Sequence, residues 1–177
     1  MNKFTGMFEQ ALEFALKKHK GQVRKGSNMP YYRHPIRVAK NIEEFKKSKN
    51  LELLMTAALL HDTVEDCKWV TLQEIAKKFG YYVAALVDEL TSDKNEIAKT
   101  GKTEYLKNKM AKMSSYGLVI KLSDRLDNVK DLKDTTPAFQ KRYTKETLEI
   151  MDYLESWVTK LTSTHVKLIE KIRDTLS

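Results

Sequence analysis

Cysteine is nearly absent from this chain: Cys67 is the only one in 177 residues. That excludes an intrachain disulfide and suits a reducing cytoplasm. Glycine (6) and proline (3) are scarce too, so long helices with short connections are expected. No apolar run approaches the length of a membrane span. The opening stretch, MNKFTGMFEQ, lacks the apolar core of a secretory signal. Period-two alternation is almost missing, which leaves little room for strands. Internal repeats and low-complexity linkers are missing as well. A chain of this length is expected to be one cytoplasmic domain, residues 1–177, with enough residues to bury a sizeable core.

What the chain has in plenty is positive charge. Its net charge is +8, with 32% charged and 41% hydrophobic residues. Such a balance fits nucleic acid, an acidic membrane surface or a small anionic substrate, and it also fits a well-solvated lysine-rich surface. The lysines are scattered along the whole chain, and no dense arginine–aromatic patch of the kind single-strand binders use is present. The pattern makes a polyanionic small molecule as good a candidate as DNA or RNA; a nucleic-acid role would rest on charge alone and is not expected, nor is a membrane partner. It leaves the oligomeric state open.

Helical periodicity dominates, and the predicted class is all-α. Phe8 to His19 places Phe8, Ala11, Leu12, Ala15 and Leu16 on one face. Lys20 to Arg33 is polar and reads as a functional loop. Pro35 sits where a helix can start, and Ile36 to Phe45 continues it. Leu51 to Leu60 (LELLMTAALL) is a buried helix by composition. Thr71 and Glu74 form a capping-box pattern, with Gly80 as the stop. Tyr82 to Leu90 resumes helical spacing. Ser92 to Thr103, lysine-rich and containing Gly101, is expected to be a mobile loop. Helices follow over Tyr105 to Met113 and Leu118 to Leu132. A long one runs from a Thr136 cap and Pro137 to about Lys160, and Ser163 or Thr164 caps the last.

The chemistry concentrates where the apolar helix ends. His61-Asp62 is followed by Val64-Glu65-Asp66. Charges at the end of a buried helix are expensive unless an ion or a cavity compensates them. Adjacent residues on a helix point about 100° apart, so His61 and Asp62 share one ion only at a helix end. His34, before a proline, and Asp124, inside the apolar helix of KLSDRLDN, are the other candidate ligands. Two imidazoles and two carboxylates suit Mn²⁺, Fe²⁺ or Zn²⁺ better than Ca²⁺. Glu65 and Asp66 are placed to handle protons beside such an ion. Each residue also has a plainer reading: Asp124 as a partner of Lys121 or Arg125, His34 as a core histidine, Glu65-Asp66 as a solvated helix end.

Taken together, the pattern resembles the HD-domain hydrolases of the RelA/SpoT alarmone family, especially the short, hydrolase-only members. The resemblance rests on H-x-G-Q-x-R-K at His19 to Lys25 and P-Y-x-x-H-P at Pro30 to Pro35. It extends through A-A-L-L-H-D-x-V-E-D at Ala57 to Asp66, F-G-x-x-V-A-x-L-V-D-x-L-T at Phe79 to Thr91, and I-K-L-S-D-R-L-x-N at Ile120 to Asn128. It covers about residues 11–132, with helices over 137–176 completing an HD-type helical bundle. The resemblance implies one Mn²⁺ held by His34, His61, Asp62 and Asp124. It implies that Glu65 and Asp66 activate the attacking water, that Arg24 and Lys25 contact the nucleotide, and that Asn128 helps hold it. The implied reaction removes the 3′-pyrophosphate of ppGpp or pppGpp to give GDP or GTP and pyrophosphate. Another phosphorylated nucleotide, NADPH or a dNTP, is an alternative substrate. A non-catalytic nucleotide-binding regulator is an alternative role.

The chain departs from the family in three places. Arg24-Lys-Gly-Ser-Asn-Met-Pro30 is one residue longer than the usual loop, Asp127 stands where histidine is common, and Cys67 replaces a common threonine. With no basic partner evident in the sequence, Cys67 reads as a small semi-buried residue rather than a nucleophile. The length left over is too short for a synthetase domain, so degradation and not synthesis is expected.

Overall fold

The structure, a computed structural model, describes residues 6–177. The first five residues, part of the stretch read above for a leader, lie outside the described ones. Among the described residues the secondary structure is helical, with one isolated bridge, Val23–Pro30, in place of any strand. No described helix is long and apolar enough to cross a membrane. Two compact units meet in sequence between Thr91 and Ser92, and each is described in turn.

The first unit is built on α3 (Leu51–Leu60). This helix is apolar on every side, and a helix of that kind must be covered all round. Leu54 to Leu60 are all buried. α1 (Gly6–Lys18), α2 (Arg33–Phe45) and α6 (Tyr81–Leu90) pack against it, and α5 (Leu72–Phe79) packs on α6. α2 buries Val38, Ala39 and Ile42 along one stripe, with His34 in its first turn. It begins at Arg33, two residues before Pro35, a position still inside the first turn where a missing N–H costs little. Thr71 caps α5 by accepting from the Glu74 N–H at 3.1 Å. Gly80, at φ +88°, ends α5 and lets α6 start at once. Between α3 and α6 lies the one-turn α4 (Thr63–Asp66).

The second unit corrects three expectations. The lysine-rich stretch read as a loop from Ser92 to Thr103 holds α7 (Lys94–Thr100) and the start of α8 (Lys102–Lys112). Asp93 nucleates α7, its Oδ1 accepting from the N–H groups of Asn95 and Glu96 at 2.8 and 3.1 Å. Gly101, at φ +81°, is a hinge between two helices and not part of a long loop. α9 (Ser115–Lys130) is the buried element here, followed by a 3₁₀ turn, Leu132–Asp134. α10 (Pro137–Trp157) starts behind the expected Thr136 cap and stops three residues short of Lys160. α11 (Ser163–Leu176) is capped by Thr162, not by Ser163 or Thr164. The reason is His165: its Nδ1 accepts from the Thr162 N–H at 3.0 Å and ties the first turn back to the residue before it. α11 packs on α9, and α10 packs on α8.

Candidate metal centre

The HD dipeptide straddles the junction between two helices. His61 closes α3 and Asp62 opens α4, so both side chains face one point, as a helix end permits. His61 is almost fully buried. Its Nδ1 lies 2.7 Å from the Ala58 carbonyl. A carbonyl only accepts, so Nδ1 carries the proton and Nε2 presents its lone pair. That Nε2 lies 3.0 Å from Asp62 Oδ2. His34, buried at the start of α2, brings its own Nε2 to 3.7 Å from the same oxygen. One donor atom from each of His34, His61 and Asp62 lies within 4.8 Å of the others.

This donor set fits a divalent ion. Ligand atoms about 2.0–2.2 Å from one centre are themselves a few ångströms apart, which is the spacing found. The carbonyl that fixes the His61 ring is the outer support that metal-binding histidines ordinarily have. Tyr31 adds another, its hydroxyl donating to Asp62 Oδ2 at 2.5 Å. Two nitrogens and a carboxylate oxygen are a borderline set that suits first-row transition ions.

Glu65 and Asp66 lie on α4, beyond Asp62. The Asp66 pKa is raised, first by burial of its carboxyl among neighbours and then by the nearby charges of Asp62 and Glu65. Arg24 lies on the loop before α2, its guanidinium 5.7 Å from the centre of the Tyr31 ring. This loop closes on itself: the Arg24 N–H donates to the Met29 carbonyl at 2.9 Å, and Gly26 takes φ +87°. Lys25 is exposed at its tip.

Asp124 and Asn128 belong to the second unit. Asp124 is buried on α9 and accepts from Lys121 Nζ at 2.9 Å and from Asn128 Nδ2 at 2.6 Å. Asp127 is fully buried. The neighbouring Arg125 donates to Thr147 Oγ1 at 2.8 Å and Glu146 Oε1 at 3.2 Å. It lies 5.0 Å from the Tyr143 ring centre, and burial pushes the Tyr143 phenol pKa up.

Three residues near the metal cluster were not singled out by the sequence. Tyr31, His19 and Gln22 lie inside motifs that carried the family resemblance, but nothing in their spacing marks an interior position. Cys67 needs a correction. It has an imidazole neighbour after all, with His19 Nδ1 at 3.4 Å, but that nitrogen donates its proton to Gln22 Oε1 and is no base toward the thiol. Burial also raises the thiol pKa, so it remains a protonated, buried side chain.

Comparison with known proteins agrees with this geometry. The family profile of the HD domain matches residues 11–154. Human MESH1, named guanosine-3′,5′-bis(diphosphate) 3′-pyrophosphohydrolase, is 41% identical over 130 residues, which span 72% of this chain and 70% of MESH1. A protein of the same function name from Aquifex aeolicus is 40% identical over 154 residues, 80% of this chain but 20% of that protein. The chain thus spans about a fifth of the length of that bacterial relative. A solved structure described as a metazoan ortholog of SpoT that hydrolyzes ppGpp superposes with TM-score 0.81 at 30% identity, covering all of both chains. A Listeria monocytogenes structure, TM-score 0.64 at 20% identity over 83% of this chain and 96% of that one, shares the fold. The chain belongs to the HD-domain family, in the group that includes MESH1.

Proposed function

We propose that this protein is a divalent-metal-dependent hydrolase that removes the 3′-pyrophosphate of ppGpp or pppGpp. The observation that carries the reading is the convergence of His34, His61 and Asp62 on one point, with two further carboxylates on the next helical turn. The identity to MESH1 over most of both chains supports the substrate. Asp124 is the proposed fourth ligand. Its burial and its hydrogen bond from Asn128 support a carboxylate held ready in one orientation. The match of the family profile, which runs through residues of both units, supports their working as one HD-type hydrolase domain.

The bound ion, which we take to be Mn²⁺ with Fe²⁺ or Zn²⁺ able to fill the same donor set, supplies Lewis acidity and a water of lowered pKa. Glu65 and Asp66 accept the proton of the attacking water. The raised pKa of Asp66 suits it to keep a proton and return it to the leaving ribose 3′ oxygen. The water oxygen bonds to the phosphorus on O3′, the P–O3′ bond breaks, and pyrophosphate leaves. Arg24 offers a planar cation that can stack on the purine or fork onto phosphate, and the Tyr31 ring beside it limits its motion. Lys25 and the excess of lysine draw in the polyanion, and Asn128 holds it. The lone buried thiol of Cys67 supports a reducing, cytoplasmic setting.

Metal dependence is the first test of this reading. Protein stripped with chelator should lose turnover of ppGpp and regain it with Mn²⁺, while His61→Ala and Asp124→Ala should bind no Mn²⁺ by calorimetry and stay inactive. Turnover that survives chelation, or an Asp124→Ala variant with normal activity, removes the ion or that ligand from the account.

A further inference from the structure

His19 and Gln22 take no part in the reaction as described, yet they are tied to it. His19, the residue after α1, is fully buried. Its Nδ1 lies 2.7 Å from Gln22 Oε1. Gln22 Nε2 in turn donates to the backbone carbonyl of Asp66 at 3.0 Å. An amide that donates through Nε2 accepts through Oε1, so the His19 proton sits on Nδ1. His19 Nε2 is buried with no hydrogen bond among the described residues. Burial also lowers the imidazole pKa, so the ring is neutral. The same turn is closed by the Gln22 N–H on the His19 carbonyl at 3.0 Å and by the Tyr31 N–H on the Gln22 carbonyl at 2.9 Å. The His19 and Tyr31 rings lie 4.9 Å apart, and the Tyr31 hydroxyl holds Asp62.

The need for such ties lies in α4. It is a single turn of four residues with no side-chain cap at its start. A turn that short has no stability of its own, and its last carbonyls are orphan acceptors. Asp66 is its last residue, and Gln22 satisfies that carbonyl. An apolar pair would fill this interior at less desolvation cost than a histidine and a glutamine. What the polar pair adds is direction.

We propose that His19 and Gln22 are positioning residues: a strut from the end of α1 that holds Asp66, through its carbonyl, and Tyr31, through its N–H, in register with the His34–His61–Asp62 cluster. The catalytic consequence rests on the hydrolase reading above, while the structural consequence does not.

The test compares His19→Leu, His19→Asn and Gln22→Met with the unaltered chain. Leucine fills the space without a donor. The Asn amide nitrogen falls where Nδ1 was and keeps the bond to Gln22. In Mn²⁺-loaded protein, His19→Leu and Gln22→Met should lower kcat for ppGpp by about 10–100-fold, since a misplacement near 1 Å can cost that much, while KM shifts by no more than about two-fold. His19→Asn should restore most of kcat. Amide exchange read by mass spectrometry gives a second, activity-free readout. The peptide over residues 62–69 should exchange faster in the Leu and Met variants and not in the Asn variant, with the α11 peptide unchanged. Should the unaltered protein leave ppGpp intact while exchange follows this pattern, the hydrolase reading fails and the strut stands. Retained kcat with unchanged exchange in the Leu and Met variants overturns the strut. Failure of Asn to outperform Leu overturns it as well and reduces His19 to a packing residue.

Discussion

His61 answers to two constraints, one from each ring nitrogen, and together they make it a candidate ligand. Its Nδ1 is committed to the Ala58 carbonyl, which leaves Nε2 for the cluster. Asp62 is likewise steered from outside by Tyr31. Tyr31→Phe should therefore keep the cluster but weaken Mn²⁺ binding by about ten-fold, in line with the loss of an outer support; unchanged affinity would show that the hydroxyl does not orient Asp62. Glu65→Ala should retain metal and lose most turnover, and unchanged kinetics would remove Glu65 from proton handling. Arg24→Ala should chiefly raise KM, as expected for binding shared by ground and transition states; a pure loss of kcat would contradict that role. The His61–Asp62 pair stood out in the sequence as candidate ligands because charge at the end of an apolar helix demands a reason. Tyr31 and His19 did not, because a tyrosine in a polar loop and a histidine among lysines carry no such contradiction. Only the folded loop shows that both turn inward.

At the level of elements, composition spoke most clearly where it was most extreme. Leu54–Leu60 is buried throughout, as the largely apolar sequence of this helix predicts. Leu59 is fully buried, and Leu59→Ala should cost about 2–5 kcal/mol in denaturant unfolding; a cost well under this would mean that the helix is not central. α7 was hidden for the opposite reason. It buries no residue, so there was no apolar stripe to find, and its only local signal was the Asp93 cap. Asp93→Ala should cost about 1 kcal/mol and show first as faster exchange of the α7 amides. The Thr162 cap escaped notice because histidine plays the part usually taken by glutamate or glutamine. In the second unit, the buried Arg125–Glu146 pair lies 3.2 Å apart. Glu146→Ala strands a buried guanidinium and should cost about 3–5 kcal/mol, whereas a mild effect would show that Thr147 and Tyr143 suffice to hold Arg125.

For the whole molecule, the net charge of +8 was legible as attraction for an anion but silent on which one. A small polyanionic substrate should be steered by that field, so kcat/KM should fall with ionic strength while kcat changes little; a salt-independent kcat/KM would make the lysines mere solvation. The family was readable because its motifs follow one another in a fixed order along the chain. The identity of the phosphate ester that is cleaved was not, since any phosphorylated nucleotide meets the same donors. Product identification decides it. Mn²⁺-loaded protein given ppGpp should release pyrophosphate and GDP in equal amounts, with NADPH and dGTP left intact in parallel. Orthophosphate from NADPH, or turnover of dGTP alone, would contradict the account while leaving the metal centre in place.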